Sequence, residues 1–123
     1  MTEVAPFQVA RPRDLEAAIA LCSGNAQSRY IAGGTDLMVN IRRGIRQPEL
    51  LIDISGLDVL HAFEITDAGA HIGAGVTLAQ LAADDGVRER YRAVAEAAAA
   101  IAGPGHRSVA TVGGNLCLDT RCI

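Results

Sequence analysis

Two Gly-Gly dipeptides, each placed directly after a short apolar segment, restrict the fold of this chain more than any other feature of its sequence. The first lies within residues 31–37 (IAGGTDL) and the second within residues 110–116 (ATVGGNL). Adjacent glycines permit backbone conformations that other residues avoid, so each pair predicts a tight turn at the end of a strand. Successive N–H groups of such a turn can converge on an anion such as a pyrophosphate, although either pair alone is more often a structural turn.

The first half of the sequence predicts a small parallel βαβ sheet. Apolar residues at spacings of i, i+3, i+4 and i+7 predict a helix from residue 15 to residue 22, with Cys22 turned toward the core. Asp14 can cap this helix and Gly24 can end it. Asp36 precedes a second predicted helix, and we expect its carboxylate to cap that helix and fix the glycine loop. The other predicted elements are strands at residues 29–32 and 50–54 and the short helix at residues 37–43.

The second half predicts a mixed or antiparallel sheet with helices. Alternating residues on either side of a turn at 67–69 predict a hairpin. Thr77 can cap a short helix, an Ala-rich helix is predicted at 88–102, and a last strand is predicted at 109–112. The expected fold class is therefore α/β (α+β), with one subdomain at residues 1–55 and a second, incomplete at its C-terminus, at residues 56–123.

Composition excludes several classes of function. The 123 residues are half hydrophobic and one fifth charged, with a formal net charge of −3, as in a globular domain. All 11 basic residues are Arg, and neither a basic stripe nor an aromatic platform is present, so nucleic-acid binding is not expected. The sequence has no apolar run long enough to span a bilayer or to form a signal peptide, and we expect a cytoplasmic protein.

Other motifs are weaker. Residues 73–78 (GAGVTL) begin like a dinucleotide fingerprint, but Leu78 stands where the third glycine belongs. Cys117 and Cys122 have the C-x4-C spacing that could begin an iron–sulfur or zinc site, or they are two unpaired thiols. The three histidines form no spaced ligand set, although His106 could face a ligand from its loop.

Four ordered blocks carry a resemblance to a known family: AGGTDLMVNIRRG, LIDIS, IGAGVTLAQL and AGPGHRSVATVGGN, which together span most of residues 7–115. The sequence resembles the FAD-binding (PCMH-type) domain of molybdenum hydroxylase flavin subunits, the xanthine dehydrogenase and carbon monoxide dehydrogenase family. The resemblance implies two subdomains that clasp FAD, and a subunit that transfers electrons without a catalytic residue of its own. It also implies partner subunits that carry the molybdenum cofactor and [2Fe–2S] centres.

The resemblance also implies which residues contact FAD. They comprise the first glycine turn, one position packing near the flavin and the second glycine turn: Ile31, Ala32, Gly33, Gly34, Thr35, Asp36, Leu37, Ile101, Thr111, Val112, Gly113, Gly114 and Asn115. The common family pattern before the second turn is Gln-Ile-Arg-Asn, and residues 105–108 (GHRS) keep only its arginine, Arg107.

The ending NLCLDTRC is similar to one branch of the family, the beta subunit of 4-hydroxybenzoyl-CoA reductase. That similarity implies a [4Fe–4S] cluster with Cys122 as a ligand, and an aromatic acyl-CoA reductase of which this chain is the N-terminal portion. The alternative is a truncated, non-enzymatic module that binds a nucleotide weakly or docks a partner.

Overall fold

The computed structural model describes residues 3–118. The chain divides into two compact units, Met1–Leu57 and Asp58–Ile123. Both units combine helices with small sheets, which confirms the predicted α/β (α+β) class. None of the helices in residues 3–118 combines the length and apolar character needed to cross a membrane.

The first unit contains a three-stranded parallel sheet. Its strands are β1 (Gln8–Ala10), β2 (Ser28–Ile31) and β3 (Leu50–Asp53), in the order β1-β3-β2. The central strand supplies two deeply buried residues, Leu51 and Ile52. The helices α1 (Leu15–Ser23) and α2 (Leu37–Arg42) follow β1 and β2. The parallel arrangement was predicted, whereas β1 was not, because three residues are too few to display an alternating pattern.

Helix α1 has the predicted ends, but its buried face is narrower than the apolar spacing predicts. The Asp14 carboxylate accepts a hydrogen bond from the backbone N–H of Ala17 at 2.8 Å, and Gly24 ends the helix. Of the helix residues only Ala18 is buried, while Ile19 is 58% exposed and Cys22 is half-buried. The prediction that Cys22 faces the core is therefore only partly correct, because the short strands β2 and β3 cover little more than the line of the helix through Ala18.

The second unit begins with a 3-10 turn at Asp58–His61 and the predicted hairpin. The hairpin consists of β4 (Phe63–Thr66) and β5 (Gly69–Ile72), which pair antiparallel. A two-stranded sheet is marginal by itself, and here its apolar face packs against helices. The helices are α3 (Leu78–Ala83), α4 (Asp85–Arg90), α5 (Arg92–Ala100), α6 (Pro104–Arg107) and α7 (Val112–Leu116).

The single helix predicted at residues 88–102 is wrong, because α4 and α5 are separated at Tyr91 (φ −132°, ψ 51°). The Asp84 carboxylate accepts from the N–H of Val87 at 3.0 Å and starts α4 early. The Tyr91 N–H then bonds to the Val87 carbonyl at 2.7 Å and closes that helix. With two short helices, Val87 is buried beside Leu81 and Ala95. A single straight helix that starts at residue 88 would not contain Val87.

The strand predicted at residues 109–112 is also wrong. Only one isolated bridge, between Thr77 and Thr111, forms there, and α7 starts immediately afterwards. The Thr111 hydroxyl oxygen accepts from the N–H of Gly114 at 3.0 Å, so this residue acts as a helix cap. Pro104 occupies the first turn of α6, where its missing N–H costs nothing.

Candidate functional site

The first glycine turn connects β2 to α2 at the carboxyl end of the parallel sheet. Strand β2 is held at its end by the N–H of Ile54, which donates to the Ile31 carbonyl at 3.0 Å. Gly34 has φ of +72°, a conformation that L-residues with a side chain rarely adopt. The Met38 N–H returns to the Gly34 carbonyl at 3.2 Å. These contacts fix both ends of a short loop, which leads directly into the helix.

This loop leaves a row of backbone donors open. Within residues 3–118, the five consecutive N–H groups of residues 33–37 donate to no protein acceptor. These residues are half-buried, so their N–H groups are accessible to water or to an acceptor from outside the chain. Successive N–H groups at such a turn form an anion-binding concavity.

Asp36 does not cap α2, contrary to the prediction. Its own backbone is already helical (φ −105°, ψ −48°), and its side chain makes no capping hydrogen bond. Instead the carboxylate accepts from the side-chain amide of Asn40 at 2.9 Å. A capping residue normally has an extended backbone so that its side chain can reach the helix amides. The carboxylate is therefore occupied elsewhere, and the amides of the loop remain open.

The second glycine turn is different, because its backbone donors are engaged. Val112 donates to the Val76 carbonyl at 2.8 Å, and Gly113 donates to the Ala74 carbonyl at 2.9 Å. The N–H groups of Gly114 and Asn115 bond to the hydroxyl and carbonyl oxygens of Thr111. The expectation that this turn also presents converging free amides is wrong. The donors it still offers are in side chains, namely the Thr111 hydroxyl and the Asn115 amide.

The glycines of this region are required by packing. A Cβ on Gly113 would lie 2.8 Å from the Cβ of Ala74, closer than real carbon contacts allow. A Cβ on Gly73 would overlap the carbonyl oxygen of Leu60, and one on Gly75 would come within 3.0 Å of the same oxygen. The glycines that begin like a dinucleotide fingerprint therefore serve the close approach of residues 60–62.

Ile101 lies at the end of α5 and is half-buried. Arg107, the residue kept from the common family pattern, donates to the carbonyls of Ile101 at 3.1 Å and Ala102 at 2.6 Å. Ala102 has φ of +50° and is the one non-glycine residue of the described chain in that region. The guanidinium thus closes the loop between α5 and α6. His106, expected in an irregular loop, is exposed on α6.

One carboxylate has a clearly altered acidity. Asp53 ends β3, in register with Ile31, at the same sheet edge as the first glycine turn. Hydrogen bonds from Ser55, whose hydroxyl donates at 2.6 Å, lower the pKa of Asp53, and the Arg11 guanidinium 3.5 Å away adds to this effect. The carboxylate is therefore held in its charged form at the edge of the sheet.

The metal-site hypothesis concerns the C-terminal cysteines. Cys117 is an exposed free thiol, and Cys122 lies outside the described residues. Among residues 3–118 there is no group of three or more His, Cys, Asp or Glu side chains placed to hold a metal ion.

The sequence profile of a family described as the FAD binding domain in molybdopterin dehydrogenase matches residues 5–122. The chain belongs to this family. The resemblance stated from the four sequence blocks is thereby confirmed at the level of the xanthine and carbon monoxide dehydrogenase family.

Relatives of this FAD-binding family are longer than the chain. The xanthine dehydrogenase FAD-binding subunit of Escherichia coli O157:H7 is 35% identical over 108 residues, which are 87% of this chain and 37% of the relative. The aldehyde oxidoreductase FAD-binding subunit of Escherichia coli K12 is 43% identical over 96 residues, 77% of this chain and 30% of the relative. The chain thus spans less than two fifths of the length of these relatives.

Two solved structures share the fold of this chain. Carbon monoxide dehydrogenase from Hydrogenophaga pseudoflava superposes with a TM-score of 0.88 and 29% identity, covering 94% of this chain and 40% of that one. Quinoline 2-oxidoreductase from Pseudomonas putida 86 has the same TM-score at 23% identity, which supports the fold alone.

Proposed function

We propose that this chain forms the pyrophosphate-binding part of the FAD site in an electron-transferring flavin subunit of a molybdenum-containing oxidoreductase. The observation that carries the proposal is the row of five open N–H groups at residues 33–37. A pyrophosphate brings several oxygen acceptors, and the loop can meet them without breaking an existing hydrogen bond. The chain has no lysine, so backbone N–H groups are the donors best suited to this task.

The two units have different tasks in this proposal. In the first, residues 31–37 bind the pyrophosphate through the backbone. In the second, Thr111 and Asn115 offer donors in their side chains only, because the amides of residues 112–115 are already engaged. Ile101, held by Arg107, offers an apolar contact for the flavin. We propose that the units at residues 1–57 and 58–123 correspond to the two FAD-binding subdomains.

FAD supplies the redox chemistry when bound, since it exchanges one or two electrons with its partners. The residues of this chain bind and orient the cofactor, and the proposal requires no acid or base from them. We further propose a cytoplasmic complex with one subunit for the molybdenum cofactor and one for [2Fe–2S] centres. The names of the relatives, which are FAD-binding subunits or medium chains, support such an assembly.

A narrower proposal concerns the substrate. The ending NLCLDTRC suggests the aromatic acyl-CoA reductase branch, with a [4Fe–4S] cluster bound in part by Cys122 in the full-length subunit. Iron and flavin contents of that subunit, purified without oxygen, test this idea. About four irons per FAD support the branch, whereas flavin without iron refutes it.

FAD binding itself is tested by calorimetry on the purified chain with FAD and FMN. FAD is expected to bind at least about tenfold more tightly, equivalent to about 1.4 kcal/mol, because FMN lacks the second phosphate. Equal affinities would refute the pyrophosphate loop. A folded chain that binds neither cofactor would favour the alternative, a non-enzymatic module that docks a partner.

A further inference from the structure

A buried polar side chain, Asn40, lies directly beneath the first glycine turn. It is on the second turn of α2, is only 6% exposed, and donates its side-chain amide to the Asp36 carboxylate. A buried amide is costly unless it is hydrogen-bonded, and the bond to Asp36 satisfies this one. The contact spans one helical turn, from residue i to residue i+4.

The partner in this contact is the one negative charge within the glycine loop, residues 33–36. An aspartate that precedes a helix ordinarily turns its carboxylate onto the first free amides, where it gains hydrogen bonds and a favourable dipole. An aspartate at this position would cap the amides of residues 38 and 39, but the Asp36 carboxylate is bonded to Asn40. The neighbouring amides of residues 33–37 are open. The carboxylate and a bound phosphate would compete for the same donors, and the two negative charges would repel each other.

We infer that Asn40 is a positioning residue for the pyrophosphate loop, because it holds the Asp36 carboxylate away from the amides that bind the phosphate groups. The inference rests on the proposed function. Without the Asn40 amide, the carboxylate turns to the nearest unsatisfied donors, which are those of the loop. The loop then loses part of its hydrogen-bonding capacity and gains a negative charge toward the ligand.

The test is a double-mutant cycle on the whole chain, with FAD affinity measured by quenching of flavin fluorescence. Asn40→Ala is expected to weaken FAD binding about tenfold when Asp36 is present, and by less than about threefold in the Asp36→Ala background. If Asn40 serves packing alone, the loss is the same in both backgrounds, and that result overturns the inference.

A control separates positioning from stability. Ile41, the buried neighbour of Asn40 on α2, has an aliphatic side chain that cannot hydrogen-bond to the Asp36 carboxylate. Ile41→Val is expected to lower the melting temperature while FAD affinity stays within about twofold, since it removes only a methylene from the core. A parallel loss of FAD affinity in this variant would attribute the Asn40 effect to stability and overturn the inference.

A charge swap covers the case in which Asn40→Ala does not fold. Asn40→Asp places two carboxylates side by side and is expected to weaken FAD binding. Adding Asp36→Asn to it restores a hydrogen bond between the two positions, with the charge now one helical turn below the loop, and is expected to recover most of the affinity. Failure to recover overturns the inference, whereas a folded wild-type chain without FAD affinity refutes the proposed function itself.

Discussion

Gly34→Ala isolates the contribution of the first glycine turn to FAD binding, because Gly44, on the other side of α2, provides a matched control. Gly34 lies before α2 and Gly44 lies after it, and both have φ of +72°. Alanine at either position carries the same conformational penalty, about 1–2 kcal/mol for an L-residue in the left-handed region. Only Gly34 belongs to the loop with open amides, so the two variants should differ in cofactor binding and not in backbone strain.

The added methyl group changes this estimate little at Gly34. A Cβ there would lie 3.3 Å from the Met38 Cγ and 3.4 Å from the Ile31 Cδ1, both of which are atoms of flexible side chains. For a domain of this size, about 1–2 kcal/mol corresponds to a fall in melting temperature of roughly 5–10 °C. We expect a fall of this order in both variants. FAD affinity should decrease at least about tenfold in Gly34→Ala, because relief of the strain shifts the loop amides, and stay within about twofold in Gly44→Ala.

Thermal unfolding of the cofactor-free variants and flavin fluorescence titration measure the two effects separately. If both variants lose stability and both retain FAD affinity, the loop at residues 33–37 is not the pyrophosphate site. If Gly34→Ala loses no stability, the strain argument is wrong whatever happens to the flavin.

Two further predictions concern stability alone. Gly113→Ala should destabilise the second unit by about 1–3 kcal/mol, because its Cβ would lie 2.8 Å from the Ala74 Cβ. Gly103→Ala, which has nothing within 4 Å of its Cβ, should cost less than about 0.5 kcal/mol; urea unfolding that ranks the two equally would contradict the packing argument. The pKa of Asp53 is lowered in the folded state, so its contribution to stability is present above the ordinary value of about 3.9 and is lost as the pH falls through the folded pKa. Asp53→Asn should therefore lose less stability than the wild type when the pH falls from about 6 to about 3. Urea midpoints that fall equally in both proteins over this range would refute the prediction.

The sequence was most informative where a local rule and the tertiary environment agree. Asp14 and Thr77 were predicted as helix caps, and each accepts a hydrogen bond from the helix it starts. The hairpin at residues 63–72 followed from alternation and its turn. In these cases a few neighbouring residues specify the conformation, and the packing of distant residues agrees with it.

The predictions were wrong where residues distant in sequence determine the local conformation. The Ala-rich segment has helical propensity throughout, but the need to bury Val87 beside Leu81 and Ala95 breaks it at Tyr91. At the candidate site the sequence located the turns at residues 31–37 and 110–116. It did not show that the backbone amides are open in the first turn and engaged in the second. The role of Asn40 was missed, although its position four residues after Asp36 was a usable signal. That spacing becomes informative only when the carboxylate is known not to cap the helix.

The two Gly-Gly dipeptides show why a motif does not define a physical role. The first follows β2, which is an edge strand in the order β1-β3-β2. No further strand of this sheet therefore pairs with the backbone amides that follow β2. The second lies beside residues 74–76, whose carbonyls accept from Val112 and Gly113. A pyrophosphate at the first turn gains hydrogen bonds without breaking any, whereas backbone binding at the second would first cost about 0.5–1.5 kcal/mol for each bond displaced. Backbone binding of an anion is therefore expected at the first turn and not at the second, where only side-chain donors remain.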